Sequence, residues 1–158
     1  MSHAQIRDWM SSAPPTISPK DSVRHARRLL HTAKTEELLV MDNGKLVGML
    51  NERDIWHHCP TSALMMEEQR VNELLEQFRV AAVMSLHPPV IAPNAQLTDA
   101  AQLFAESGRE GIAVVEDGIA IGFLTEARFM HAIALLFGSD ANYDTHDSEP
   151  QSKGGHTP

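Results

Sequence analysis

The sequence predicts an α/β (α+β) fold built from two copies of one β-α-β-β-α unit, and three observations carry that reading. Shifting the chain by 74 positions, the separation of Gly44 and Gly118, aligns residues 6–55 with 80–129 without a gap. The matches fall on turn formers and apolar positions, where a fold needs particular residue types: Met10 on Met84, Pro14-Pro15 on Pro88-Pro89, Ile17 on Ile91, Ala26 on Ala100, Val40 on Val114, Gly48 on Gly122 and Leu50 on Leu124. In each copy a stretch of helical periodicity is followed by two apolar runs around an Asn-Gly or Asp-Gly pair.

The elements follow in order. Prolines bracket a short extended piece, "PTIS" in the first copy and "PVIA" in the second, because proline and the residue before it both avoid the helical region. Val23, Ala26, Leu29, Leu30 and Ala33 recur at helical spacing and predict a helix over 22–33; Leu97, Ala100, Ala101 and Phe104 predict its partner over 96–107. The runs "ELLVM" and "KLVGML" flank Asn43-Gly44, and "GIAVV" and "IAIGFL" flank Asp117-Gly118; such pairs favour positive φ and predict hairpins. Each hairpin then enters a second helix, from about 52 and about 126.

These signals divide the chain into a first repeat (1–59), a linker helix (60–79), a second repeat (80–138) and a polar tail (139–158). The linker places Val71, Leu74, Leu75 and Phe78 on one helical face. The tail is rich in Gly, Pro, Ser and Asp and reads as disordered. The last helix, "ARFMHAIALLFG", is apolar on most sides and asks for burial, which points to a homodimer through the second helices of the repeats, with Ile55 and Trp56 on the same surface.

Composition excludes several classes. Thirteen Lys and Arg against twenty-one Asp and Glu leave a net charge of -8, which argues against nucleic acid as a partner. The longest apolar run, "AIALLF", is far short of the roughly 20 residues that span a bilayer, so no membrane role is expected. The single Cys59 and an N-terminus without a signal-like apolar stretch fit a cytoplasmic protein. His57, His58 and Cys59 are adjacent, and helical neighbours point about 100° apart, so no metal site is expected. No nucleophile–base arrangement is evident, and no enzyme activity is expected.

The two copies end in "GMLNERD" (48–54) and "GFLTEAR" (122–128). Where a strand runs directly into a helix, the first helical N–H groups are unpaired and suit phosphate. A polar cap adds a hydrogen bond, and a carboxylate one turn on can accept both hydroxyls of a ribose. Asn51 and Asp54 occupy these places in the first copy, Thr125 and Arg128 in the second. Asn51 and Asp54 also read as a helix-capping box that needs no ligand. Arg128 reads either as a solvated surface residue or as a contact for phosphates or a partner's carboxylate. Arg24, Arg27, Arg28 and His31 form a basic stripe on the first helix, which reads as a solvated face or as a surface for an acidic partner or phosphates.

The repeat, its proline-bracketed strand and its glycine-led closing motif resemble the cystathionine-β-synthase (CBS) domain pair, or Bateman module, over about residues 4–138. The resemblance implies two CBS repeats packed as a pseudo-two-fold pair, with clefts between them that bind AMP, ADP, ATP or S-adenosylmethionine as a regulatory ligand rather than an obligatory cofactor. Carried over residue by residue, Asp54 holds the ribose diol, Asn51 or its neighbouring amides and Thr125 face phosphate, and Thr16, Ile17, Val90 and Ile91 border the purine, while in the second copy Arg128 stands in place of the acid and leaves no carboxylate for the sugar. The expected function is a regulatory sensor that signals to an unidentified protein partner. The alternative is a structural or protein-interaction dimer with degenerate clefts.

Overall fold

The computed structural model describes residues 4–12 and 14–141. After a short 3-10 turn at Ile6–Asp8, the first repeat consists of β1 (Thr16–Ile17), α1 (Val23–Thr32), β2 (Glu37–Asp42), β3 (Lys45–Asn51) and α2 (Glu52–His58). A second 3-10 turn, α3 (Glu68–Glu76) and α4 (Val80–Val83) lead to β4 (Val90–Ile91), α5 (Leu97–Ser107), β5 (Gly111–Glu116), β6 (Ile119–Thr125) and α6 (Glu126–Ala141). The sequence expectation of two β-α-β-β-α units therefore describes the fold. Helix α6 extends three residues into the stretch that composition assigns to the tail; the rest of that stretch lies outside the described residues.

Each unit forms a three-stranded sheet, β1-β2-β3 or β4-β5-β6, with the first pair parallel and the second antiparallel. Asn43 and Gly44 have φ of 50° and 77°, and Asp117 and Gly118 have 52° and 79°, so both hairpins close through residues that tolerate left-handed backbone. Both hairpins carry a register shift at the same aligned place, Val40/Met41 and Val114/Val115. Helix α1 is capped at its start, where the Ser22 hydroxyl accepts from His25 N at 3.1 Å, and α5 is capped at its end by Gly108, whose φ is 64°.

The helices cover one face of each sheet and the sheets meet on the other. Leu39, Met49, Ala113 and Phe123, all buried, form a small apolar layer between β2/β3 and β5/β6. That sandwiching is why β2 and β5 are buried on both faces along their first four residues.

The segment leading into each repeat belongs to the core of the other. Ile6, fully buried, packs with Ile91, Leu97, Ala100, Ile112 and Leu124, while Val80 and Val83 pack with Ile17, Val23, Leu30, Leu38 and Leu50. The backbone follows suit: Ser11 exchanges two hydrogen bonds with Phe123 on β6 (2.8 and 2.9 Å), and Ser85 two with Met49 on β3 (2.8 and 3.0 Å). This crossing accounts for the repeated glycines. A Cβ on Gly48 would lie 3.0 Å from the Ser85 carbonyl oxygen, and one on Gly122 would lie 2.8 Å from that of Ser11, with Met84 and Met10 sulfurs closer still. Glycine is required because the exchanged strand runs over it.

Candidate functional site

The two heptapeptides lie at the strand-to-helix junctions β3–α2 and β6–α6, and the folded chain treats them differently. At the first, Asn51 Oδ1 accepts from Asp54 N (2.9 Å) and Asp54 Oδ2 accepts from Asn51 N (2.9 Å), a complete capping box. The amide of Asn51 also donates to Glu37 Oε1 at 2.7 Å. From the opposite repeat, Arg109 inserts its guanidinium between the two carboxylates: Nη1 reaches Asp54 Oδ1 at 3.1 Å, Nη2 reaches Asp54 Oδ2 at 2.9 Å and Glu37 Oε1 at 3.0 Å, and Nε reaches Glu37 Oε2 at 3.4 Å. The Glu37 side chain has no exposure, and those of Arg109 and Asp54 retain only 13% and 18%.

The electrostatics follow from that burial. Desolvation pushes the Glu37 carboxyl up to about 7, against the opposing pull of Arg109 and of the Asn51 hydrogen bond. Burial pulls the Arg109 guanidinium down, but its hydrogen bonds and charge pairing with Asp54 and Glu37 outweigh this and hold it above its ordinary value.

None of this cluster recurs at the second junction. The aligned positions of Glu37, Asp54 and Arg109 are Gly111, Arg128 and Thr35. There the Thr125 hydroxyl accepts from Arg128 N at 3.1 Å, which caps α6, while the exposed guanidinium of Arg128 points to no partner among the described residues. Beside Thr125 lies an open cleft of about 390 Å³, lined by Glu36, Glu110, Thr125, Glu126, Ala127 and Met130. Glu36 is raised above the ordinary carboxylate value by the charge of Glu110 and then by a hydrogen bond to it. A smaller cleft of about 240 Å³ on the first-repeat side includes His31, Lys34, Thr35 and Glu52 and shares Glu36 with the larger one.

Sequence reasoning therefore named two pairs that the fold does bring together, Asn51 with Asp54 and Thr125 with Arg128. Thr16 and Val90 are exposed on β1 and β4, whereas the side chains of Ile17 and Ile91 are buried in the two cores. It missed Glu37, Arg109, Glu36 and Glu110. A signal existed for Glu37, a glutamate directly before the apolar run at 38–41, but none for Arg109, whose partners are 55 and 72 positions away.

The basic stripe is largely paired within the chain. Arg27 lies 3.4 Å from Glu52 and 5.2 Å from the centroid of the Trp56 ring, His31 is 3.4 Å from Glu52, and Arg24 is 4.0 Å from Glu76. Among the described residues no group of three or more His, Cys, Asp or Glu is arranged to hold a metal ion, and no helix is long and apolar enough to cross a membrane.

Two sheet-and-helix units joined by their sheets, with clefts at paired strand-to-helix junctions, define a tandem-repeat module of the CBS class. The CBS domain family model matches residues 6–55 and 80–135, and the chain belongs to that family. It is 28% identical over 121 residues to the CBS domain-containing protein YhcV of Bacillus subtilis, covering 77% of this chain and 79% of that protein. The CBS-pair protein CBSX2 of Arabidopsis thaliana superposes with a TM-score of 0.72 at 27% identity, covering 84% of this chain and 96% of that one. A structure of CBSX2 in complex with AMP has a TM-score of 0.68 at 28% identity, covering 84% and 98%.

Proposed function

We propose that the chain is a cytoplasmic regulatory module that binds an adenosine-containing ligand in the cleft beside Thr125 and passes its state to a partner protein. The observation that carries this reading is the open cleft of about 390 Å³ at the β6–α6 junction, in a family in which CBSX2 is found in complex with AMP. The Thr125 hydroxyl and the start of α6 supply the polar end of the site, while the family resemblance assigns the base to the strand at Val90 and Ile91, which are not among the residues lining the cleft. Glu36, Glu110 and Glu126 place three carboxylates on the lining, so a ligand of low negative charge is favoured over a polyphosphate. S-adenosylmethionine and AMP rank above ADP and ATP on that ground.

The module works as a homodimer through α6; Ile55 and Trp56 of α2, expected on the same surface, instead pack in the core of the first repeat, Ile55 with no exposure. In the single chain α6 exposes Met130, Leu135 and Phe137 at 56%, 61% and 58%, an apolar surface that a second subunit covers. The alternative, a structural dimer with degenerate clefts, draws its support from the first junction, where both Asp54 oxygens are already engaged.

Thermal unfolding with each of AMP, ADP, ATP and S-adenosylmethionine at millimolar concentration tests the reading. A ligand at 100 times its Kd stabilises by about 2.7 kcal/mol, a rise of several degrees. No shift with any of the four leaves the structural dimer as the function.

A further inference from the structure

Resting on the reading that these clefts take an adenosine ligand, we propose that Arg109 is the resident occupant of the Asp54 junction: its guanidinium takes the carboxylate that a ribose would need, so this junction is held shut from within.

The hydrogen-bond inventory of Asp54 supports this directly. A ribose diol needs two acceptor oxygens. Oδ1 already accepts from Arg109 Nη1, and Oδ2 accepts from both Arg109 Nη2 and Asn51 N. A hydroxyl is a neutral donor and a guanidinium a charged one presenting two parallel N–H groups, so the side chain outcompetes the sugar for the same oxygens. Effective concentration adds to this, because Arg109 is part of the same chain. Displacing it would also strand Glu37, whose side chain has no exposure and whose remaining donor would be Asn51 alone.

The asymmetry between the junctions reinforces the point. At the second one, Thr35 stands where the clamp arginine would be, Gly111 where its buried carboxylate would be, and the cleft beside Thr125 is open. The reversal of charge between Asp54 and Arg128 is then a division of labour: one junction joins the repeats and the other receives the ligand. The shut side adjoins a cleft whose lining holds Lys34 and His31 together with Thr35, Glu36 and Glu52, so removing the clamp opens onto polar side chains.

Calorimetric titration with AMP at pH 7.5 tests the inference on the wild-type chain and on Glu37→Gln/Arg109→Gln, which removes both charges of the buried pair so that neither is left unpaired. The double variant is expected to bind one more AMP per chain than the wild type, and adding Asp54→Asn is expected to remove the gained site. If the polar pair fails to fold by circular dichroism, Glu37→Leu/Arg109→Met replaces the clamp with apolar side chains of similar reach and is titrated instead. Equal stoichiometry in wild type and variant, or two AMP per chain in the wild type, overturns the proposal. A wild type that binds no AMP alongside a variant that binds one supports the clamp while counting against the Thr125 cleft as an AMP site.

Discussion

Arg109 and Asp54, 55 positions apart in the chain, meet as a two-pronged ion pair across the boundary between the repeats, with Nη1–Oδ1 and Nη2–Oδ2 distances of 3.1 and 2.9 Å. The same guanidinium reaches the fully buried Glu37. A buried pair of this kind contributes modestly when intact, but losing one partner typically costs 3–5 kcal/mol, because the remaining charge is left without water or counter-ion. The contact therefore ties the orientation of one repeat to that of the other.

Stability should fall as pH rises through the range set by Glu37. Its carboxyl moves from an ordinary value of 4.5 to about 7 in the folded chain, so between those values the folded state binds the extra proton. The contribution is complete below about 4.5 and lost as pH approaches and passes 7, to a total of about 3 kcal/mol. Urea unfolding of the wild type between pH 5 and 8 is expected to show this decline. Glu37→Gln, which keeps the Asn51 hydrogen bond, is expected to remove it.

Gly122→Ala and Gly48→Ala are expected to destabilise by about 1–3 kcal/mol each, since each new methyl group meets the carbonyl oxygen of the exchanged strand, Ser11 or Ser85. Gly138→Ala is the control. It lies within α6 with nothing within 4 Å of the added carbon, and its expected effect is a stabilisation of about 0.5–1 kcal/mol. Thermal melts of the three variants side by side check both signs.

Ligand preference should respond to the acidic lining of the open cleft. Removing one like charge near a phosphate is worth about 1 kcal/mol at a wet site, roughly fivefold in affinity. Glu110→Gln is therefore expected to tighten ATP several-fold and to weaken S-adenosylmethionine, measured by titration of each. An equal change for both ligands would remove charge from the account.

The apolar surface of α6 makes a prediction about assembly. Leu135→Glu/Phe137→Glu places two charges on residues that are 61% and 58% exposed in the single chain, so the monomer fold should survive. Light scattering is expected to find a dimer for the wild type and a monomer for the variant. A wild-type monomer at micromolar concentration would end the dimer reading.

Much of this molecule was legible in the sequence because its signals are local. The 74-residue repeat, the Asn-Gly and Asp-Gly hairpins, the helical spacing of Val23, Ala26 and Leu30 and the cap made by Asn51 and Asp54 each depend on residues within one or two elements. Short-range backbone geometry and hydrophobic periodicity decide them, and the same rules apply twice. The exchanged packing of Ile6 and Val80, the layer of Met49 against Phe123 and the meeting of Arg109 with Glu37 and Asp54 belong to the tertiary structure. A guanidinium's partner is set by where two separate repeats bring their loops together, and no spacing along the chain records that. The sequence by itself determined that there would be two junctions of one design; only the folding of one repeat against the other decided which is clamped and which is open.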